Sequence, residues 1–146
     1  MADPNAQNQV HAWLAETWLS QKLDLPLTRQ RVKLTSGGGY SFPAVSADET
    51  TVAVFNTSQG SGKNAVSKLN KVRSDFYFLL LAAANRKVAV FTDRPMFGLV
   101  QKEQREGRVP EQIELMLVPQ LPAEIDAILK ATQQVGGQEP LEALSR

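Results

Sequence analysis

No cysteine occurs in the 146 residues, which excludes disulfides, thiolate nucleophiles and cysteine-ligated zinc or iron–sulfur sites. A single histidine, His11, likewise excludes histidine-rich metal sites and any catalysis that needs two imidazoles. Charge of one sign is scarce, with a net of only +1. It is unevenly spread: residues 1–110 hold 14 Lys/Arg against 9 Asp/Glu, and residues 111–146 hold 2 against 6. That makes a basic body with an acidic tail, a modest bias toward polyanions. Long apolar runs are missing too. The longest, Phe76 to Ala84, is too short to cross a bilayer. The first residues lack the basic-then-apolar build of a signal peptide. A soluble, cytoplasmic protein without membrane contact, metal or cofactor is the expectation.

What is present is enough apolar residue, 42%, for one core without staples. The chain is organised around two strands, Tyr40 to Ser46 and Thr51 to Thr57, rich in β-branched and aromatic residues and joined by the acidic tip Ala47-Asp48-Glu49-Thr50. Asp48 and Glu49 read as turn residues. Before them, Asn5 to Leu23 forms a helix with Val10, Trp13, Leu14, Thr17, Trp18 and Gln21 on one stripe, the two Trp as core anchors. His11 falls off that stripe and reads as solvated. Leu27 to Thr35 alternates, with Arg29, Arg31 and Lys33 on one face and Gln30, Val32 and Leu34 on the other. The basic face is either an edge guarded by charge or a row of phosphate contacts. Gly37, Gly38 and Gly39 supply the turn into the next strand, or a phosphate cradle.

Gly60-Ser61-Gly62-Lys63 invites comparison with a P-loop, but the spacing fails. Thr57 stands where the first Gly belongs, and Asn64 where Mg²⁺ needs a hydroxyl. A long helix follows from Lys63 to Arg86, with Val66, Leu69, Val72 and Phe76 as its buried stripe and an all-round apolar second half. Lys68 and Lys71 lie on its outer face, where Asp75 offsets Lys71 four residues on. That face is either solvated or bound to nucleic acid. Lys87 to Thr92 is a buried strand, parallel to the one before the helix. Asp93-Arg94-Pro95 opens a helix to about Glu106, stopped by Gly107. Ile113 to Val118 is a further strand, and Ala123 to Gln134 a last helix ended by Gly136-Gly137. Residues 1–136 then form a single α/β domain with a mixed central sheet flanked by helices, and 137–146 a flexible tail.

That order, together with Phe42-Pro43-Ala44-Val45-Ser46, Asp48-Glu49, Val54-Phe55-Asn56-Thr57-Ser58 and Lys68 to Leu79, resembles the PD-(D/E)XK nuclease-like, or restriction-endonuclease-like, superfamily over residues 5–118. The resemblance implies an αβββαβ core, a helix, a three-stranded meander, a crossover helix and a further strand, with a C-terminal αβα extension. It also implies where the site lies. The family's metal-binding Asp falls at Pro43, its Glu at Val54 and its Lys at Asn56. Hydrolysis of that kind needs two carboxylates to hold Mg²⁺ and an ammonium to orient water. Proline and valine offer no side-chain oxygen, and asparagine has no proton to relay. The resemblance therefore implies the scaffold and argues against the reaction. Glu16, on the first helix, is the best relocated carboxylate.

The reading is a catalytically silent nuclease-like domain that binds a partner. The partner is DNA or RNA through a weak basic patch of Arg29, Arg31, Lys33, Lys63, Lys68, Lys71 and Arg73, or protein, including a second copy, through a sheet edge or the apolar C-terminal strand. The alternatives are an active Mg²⁺-dependent nuclease with relocated residues, and a small-molecule-binding α/β domain with its site where strand order reverses.

Overall fold

A computed structural model describes residues 4–133; the expected tail at 137–146 and the Gly136-Gly137 stop lie outside them. Helix α1 (Pro4–Trp13) runs into a π-helical turn, Leu14–Leu19, and a last α turn, α2 (Ser20–Leu23). The Ser20 hydroxyl donates to the Ala15 carbonyl five residues back, at 2.6 Å, and accepts the Leu27 N–H at 3.1 Å. Asp24 ends the segment in a left-handed conformation, φ 52°, which Asp tolerates better than most residues.

Five strands follow: β1 (Leu27–Lys33), β2 (Gly39–Ser46), β3 (Thr51–Asn56), β4 (Arg86–Phe91) and β5 (Ile113–Leu117). They pair in sequence order, antiparallel between β1, β2 and β3, and parallel from β3 to β5. Helix α3 (Ala65–Leu81) links β3 to β4, and α4 (Arg94–Arg105) links β4 to β5. A final helix, α5, covers 123–133. The fold class is α/β, a five-stranded mixed sheet between helical layers, as expected from the sequence. One layer, α3 and α4, packs on Val45, Val54, Ala89 and Phe91. The other, α1 to α2 with α5, packs on Ala44, Phe55, Val88 and Val90. Among the described residues no helix is long and apolar enough to cross a membrane.

Local chemistry accounts for the joints. At the β2–β3 tip the Asp48 carboxylate accepts from the Ser46 hydroxyl at 2.7 Å, the Thr50 hydroxyl at 2.8 Å and the Thr50 N–H at 3.1 Å. These bonds hold its carboxyl below the usual range, the one from Ser46 contributing most. Asp48 is thus a turn residue, as its position suggests. Asp93 caps α4 by accepting the Met96 N–H at 3.0 Å, with Pro95 in the first turn. The same carboxylate accepts the Gly60 N–H at 2.7 Å, tying the β3–α3 loop to α4.

Four expectations are corrected. The π turn inserts a residue into the helical phase, so Val10, Leu14, Ala15 and Leu19 form the buried stripe; Thr17 and Gln21 are exposed, while both Trp, half-buried, pack against that core as expected. Helix α3 ends at Leu81, short of Arg86, because Ala82 turns extended and bridges Leu34. Its second half is not packed all round: Tyr77 is 61% exposed. Val66, in the first turn of α3, is no stripe residue either, at 70% exposed.

Candidate functional site: a fork between two strands

The centre of the molecule is a fork in the sheet. β2 and β3 pair only through Ala44↔Ala53 and Val45↔Val52. Continued one rung, the same register sets Pro43 opposite Val54, and there the strands part. Proline has no N–H to give a ladder. On the other side of β2, the pairing with β1 slips between Thr28 and Gln30, so that Pro43 and Ala44 together oppose Arg29. This is a β-bulge, and its effect on the side chains is visible. Phe42 faces the α3 layer while Ala44, two residues on, faces the α1 layer.

A cleft of about 180 Å³ opens at this fork, lined among others by Tyr40, Pro43, Val54, Asn56, Arg29, Lys71, Asp75 and His11. The three positions singled out by the motif, Pro43, Val54 and Asn56, thus meet in one place. Val54 is nearly buried in the α3-side core. The Asn56 carboxamide oxygen accepts the Ser58 N–H at 3.1 Å, which ends β3 in a side-chain turn. None of the three brings a carboxylate.

Two cations enter the cleft from different elements, Arg29 from the edge strand β1 and Lys71 from α3. Asp75 sits one helical turn beyond Lys71, with Nζ and Oδ1 3.7 Å apart, as the spacing suggests. Burial raises the Asp75 carboxyl above its usual range, opposed by the Lys71 charge. Tyr40 stacks on Phe78 with ring centroids 4.2 Å apart and meets Phe42 edge-on at 4.8 Å. Burial raises its phenol, with Asp75 adding to the effect.

His11 is the residue that the sequence pattern misplaces. It is not a solvated outer residue; its ring meets Phe55 edge-on at 5.7 Å and lines the cleft. Burial first, then Arg29 and Lys71, lower its pKa to about 4, so it is neutral at physiological pH. Its contact is with a residue far along the chain, and no local pattern carries that signal.

Two recesses adjoin the cleft. One of about 250 Å³ shares His11, Arg29 and Pro43 with it and adds Glu16, which is exposed. The other, about 420 Å³, shares Gln7, Thr57, Ser58 and Lys71, and adds Lys68 with hydroxyls and amides from the β3–α3 loop, α3 and α5. The structure thus gathers Arg29, Lys68 and Lys71 along one groove. Arg31 and Lys33 stand further down the edge strand beside Gly37–Gly39, and Lys63 is exposed in the β3–α3 loop. Arg73 is engaged elsewhere: it pairs with Glu103 of α4, which also accepts from Arg108 at 3.3 Å. The Glu103 carboxylate is buried, and Arg73 foremost holds it below the usual range. Among the described residues no three His, Asp or Glu side chains converge as a metal cage.

No protein-family model, curated protein or solved structure matches this chain.

Proposed function

We propose that this chain is a nuclease-like domain that has kept a phosphate-binding cleft and lost hydrolysis, acting as a nucleic-acid-binding module. One observation carries the reading. Pro43, Val54 and Asn56 converge on a cleft whose charged lining is Arg29, Lys71 and the Asp75 that pairs with Lys71, with Lys68 continuing the cationic line and leaving the groove cationic on balance. The order α, three-stranded meander, crossover helix, strand supports the superfamily resemblance. Neutral apolar side chains at two of the three positions leave Mg²⁺ without its carboxylates, while the cations still attract a phosphate backbone. A cytoplasmic setting belongs to the same proposal.

Binding of labelled single- and double-stranded oligonucleotides, measured by anisotropy across a salt series, tests it. Three phosphate contacts give a slope of log K against log salt of roughly −2 to −3. Incubation with Mg²⁺ or Mn²⁺ should leave the nucleic acid intact. Absence of binding at low salt overturns the proposal. Cutting that disappears in Glu16→Gln establishes instead the active nuclease with a relocated carboxylate.

A further inference from the structure

β5 is an outer strand of the sheet, and among the described residues no strand pairs with its far side. In a parallel ladder, alternate residues address the neighbouring strand. Val118 donates its N–H to the Phe91 carbonyl at 2.9 Å. With Phe91 registered on Leu117, Glu114, Met116 and Val118 direct their peptide groups to β4, and Ile113, Leu115 and Leu117 direct theirs outward. The outward groups of Ile113 are satisfied: its N–H donates to the Pro110 carbonyl at 3.2 Å, and its carbonyl accepts the Gln104 amide at 2.9 Å. Those of Leu115 and Leu117 have no partner among the described residues.

The opposite edge is guarded and this one is not. β1 carries Arg29, Arg31 and Lys33, all exposed, the usual protection of an edge. β5 reads Ile-Glu-Leu-Met-Leu, and its only charge, Glu114, is tied by both oxygens to Arg86 of β4 at 2.7 and 3.0 Å. Leu115 and Leu117 pack toward the α3/α4 core and Met116 toward the α1/α5 core, and each is only half-buried. An incoming strand must therefore be apolar on both faces. A free peptide of that composition has no layer to cover either face. A strand already sandwiched between two helical layers has both, and this chain's own β5 is such a strand.

We infer that β5 pairs antiparallel with β5 of a second copy, about a two-fold axis through Met116, joining two five-stranded sheets into one. In that register Leu115 of each copy faces Leu117 of the other and exchanges both N–H···O bonds with it, so every free group of the edge is used. Met116 faces itself across the axis in a non-hydrogen-bonded pair, and the leucines of both copies extend the α3/α4 core across the seam. Pro119, which has no N–H, falls opposite Ile113, whose outward groups are already occupied.

The test uses the full chain. Light scattering should give twice the 16.1 kDa chain mass, falling to one chain mass in Leu117→Pro, which removes an outward N–H that makes no bond among the described residues. A native-like circular dichroism spectrum for that variant completes the expected result. Independently, Met116→Cys should oxidise to a reducible cross-linked dimer, because the Cα atoms of a non-hydrogen-bonded pair lie about 4.5 Å apart, within disulfide reach. The chain has no other cysteine. Leu115→Cys, displaced along the strand from its mate, should stay uncross-linked. A single chain mass at every concentration, or cross-linking that is absent at 116 or equal at 115 and 116, overturns the inference. Neither readout involves the cleft.

Discussion

Acidification from pH 6.5 should destabilise this protein first through His11, before the lowered Asp48 and Glu103 carboxyls add their own loss at the acid end. His11 has a pKa of about 4 in the fold against 6.5 in the unfolded chain. Between those values the unfolded state binds the proton and the folded state does not, so stability falls as pH falls from about 6.5 to 4. It is fully present above 6.5 and levels off below 4. A tenfold weaker hold on the proton corresponds to about 1.4 kcal/mol; allowing for the half-buried setting, the total loss is about 2–3 kcal/mol. That is a large part of the ~5–15 kcal/mol of a typical domain. Asp75 acts in the opposite sense at the acid end, because its raised carboxyl takes up a proton in the fold before it does so in the unfolded chain. The measurement is therefore a difference: denaturant unfolding of the wild type and of His11→Gln from pH 7.5 to 4.5. The wild type should lose more stability than the variant, and the gap should widen with acid. Because His11 is the one histidine of the chain, its ring proton resonance reports the titration without ambiguity. A midpoint near 6.5, or parallel pH profiles for the two proteins, refutes the placement of His11 in the cleft. A bound phosphate should move the midpoint upward by offsetting Arg29 and Lys71.

Arg29→Ala and Lys71→Ala should each weaken oligonucleotide binding and make the salt slope shallower by about 0.7–0.9, read in the same anisotropy series. Arg73→Ala should leave that binding unchanged, since Arg73 pairs with Glu103, and should instead lower the melting temperature by leaving a buried carboxylate with Arg108 as its remaining partner. Gly60→Ala should cost about 2 kcal/mol in denaturant unfolding, because a Cβ there collides with the Met96 and Pro95 backbone in the turn held by Asp93. The combination P43D, V54E and N56K should give a protein whose melting temperature rises with Mg²⁺, against a background lowered by about 3 kcal/mol for charge placed at the nearly buried Val54; absence of any Mg²⁺ response argues against the motif correspondence.

What could be read from the chain alone follows the range of the interactions involved. The β2–β3 tip, the alternation of β1, the Asp93 cap and the Gly107 stop are set within a few residues, and the structure has them where the sequence puts them. The mixed sheet followed from those pieces and the crossover helix. The misplaced features all depend on partners distant in sequence or on a change of phase. The π turn at Leu14–Leu19 rotates the stripe of the first helix, and His11 becomes part of the cleft only by meeting Phe55. Arg73 looks like a member of a basic face until Glu103, thirty residues later, claims it. Pro43 held a signal that periodicity passed over: a proline inside a strand marks a bulge or an edge, and here it marks the bulge that sends Phe42 and Ala44 to opposite layers.

On the proposed reading, that bulge also separates what hydrolysis would need from what phosphate attraction would need. Pro43 comes opposite Val54 when the β2–β3 register is continued one rung, and Asn56 shares a strand face with Val54 by alternation, so backbone geometry brings these three together. Hydrolysis depends on what those side chains carry, and Pro43, Val54 and Asn56 carry none of the needed groups. Phosphate attraction depends on other elements: Arg29, placed opposite the bulge by β1, and Lys71, placed by α3. On the proposed reading, the cleft holds a phosphate backbone through Arg29 and Lys71, opposed in part by Asp75, without the carboxylates that Mg²⁺ needs.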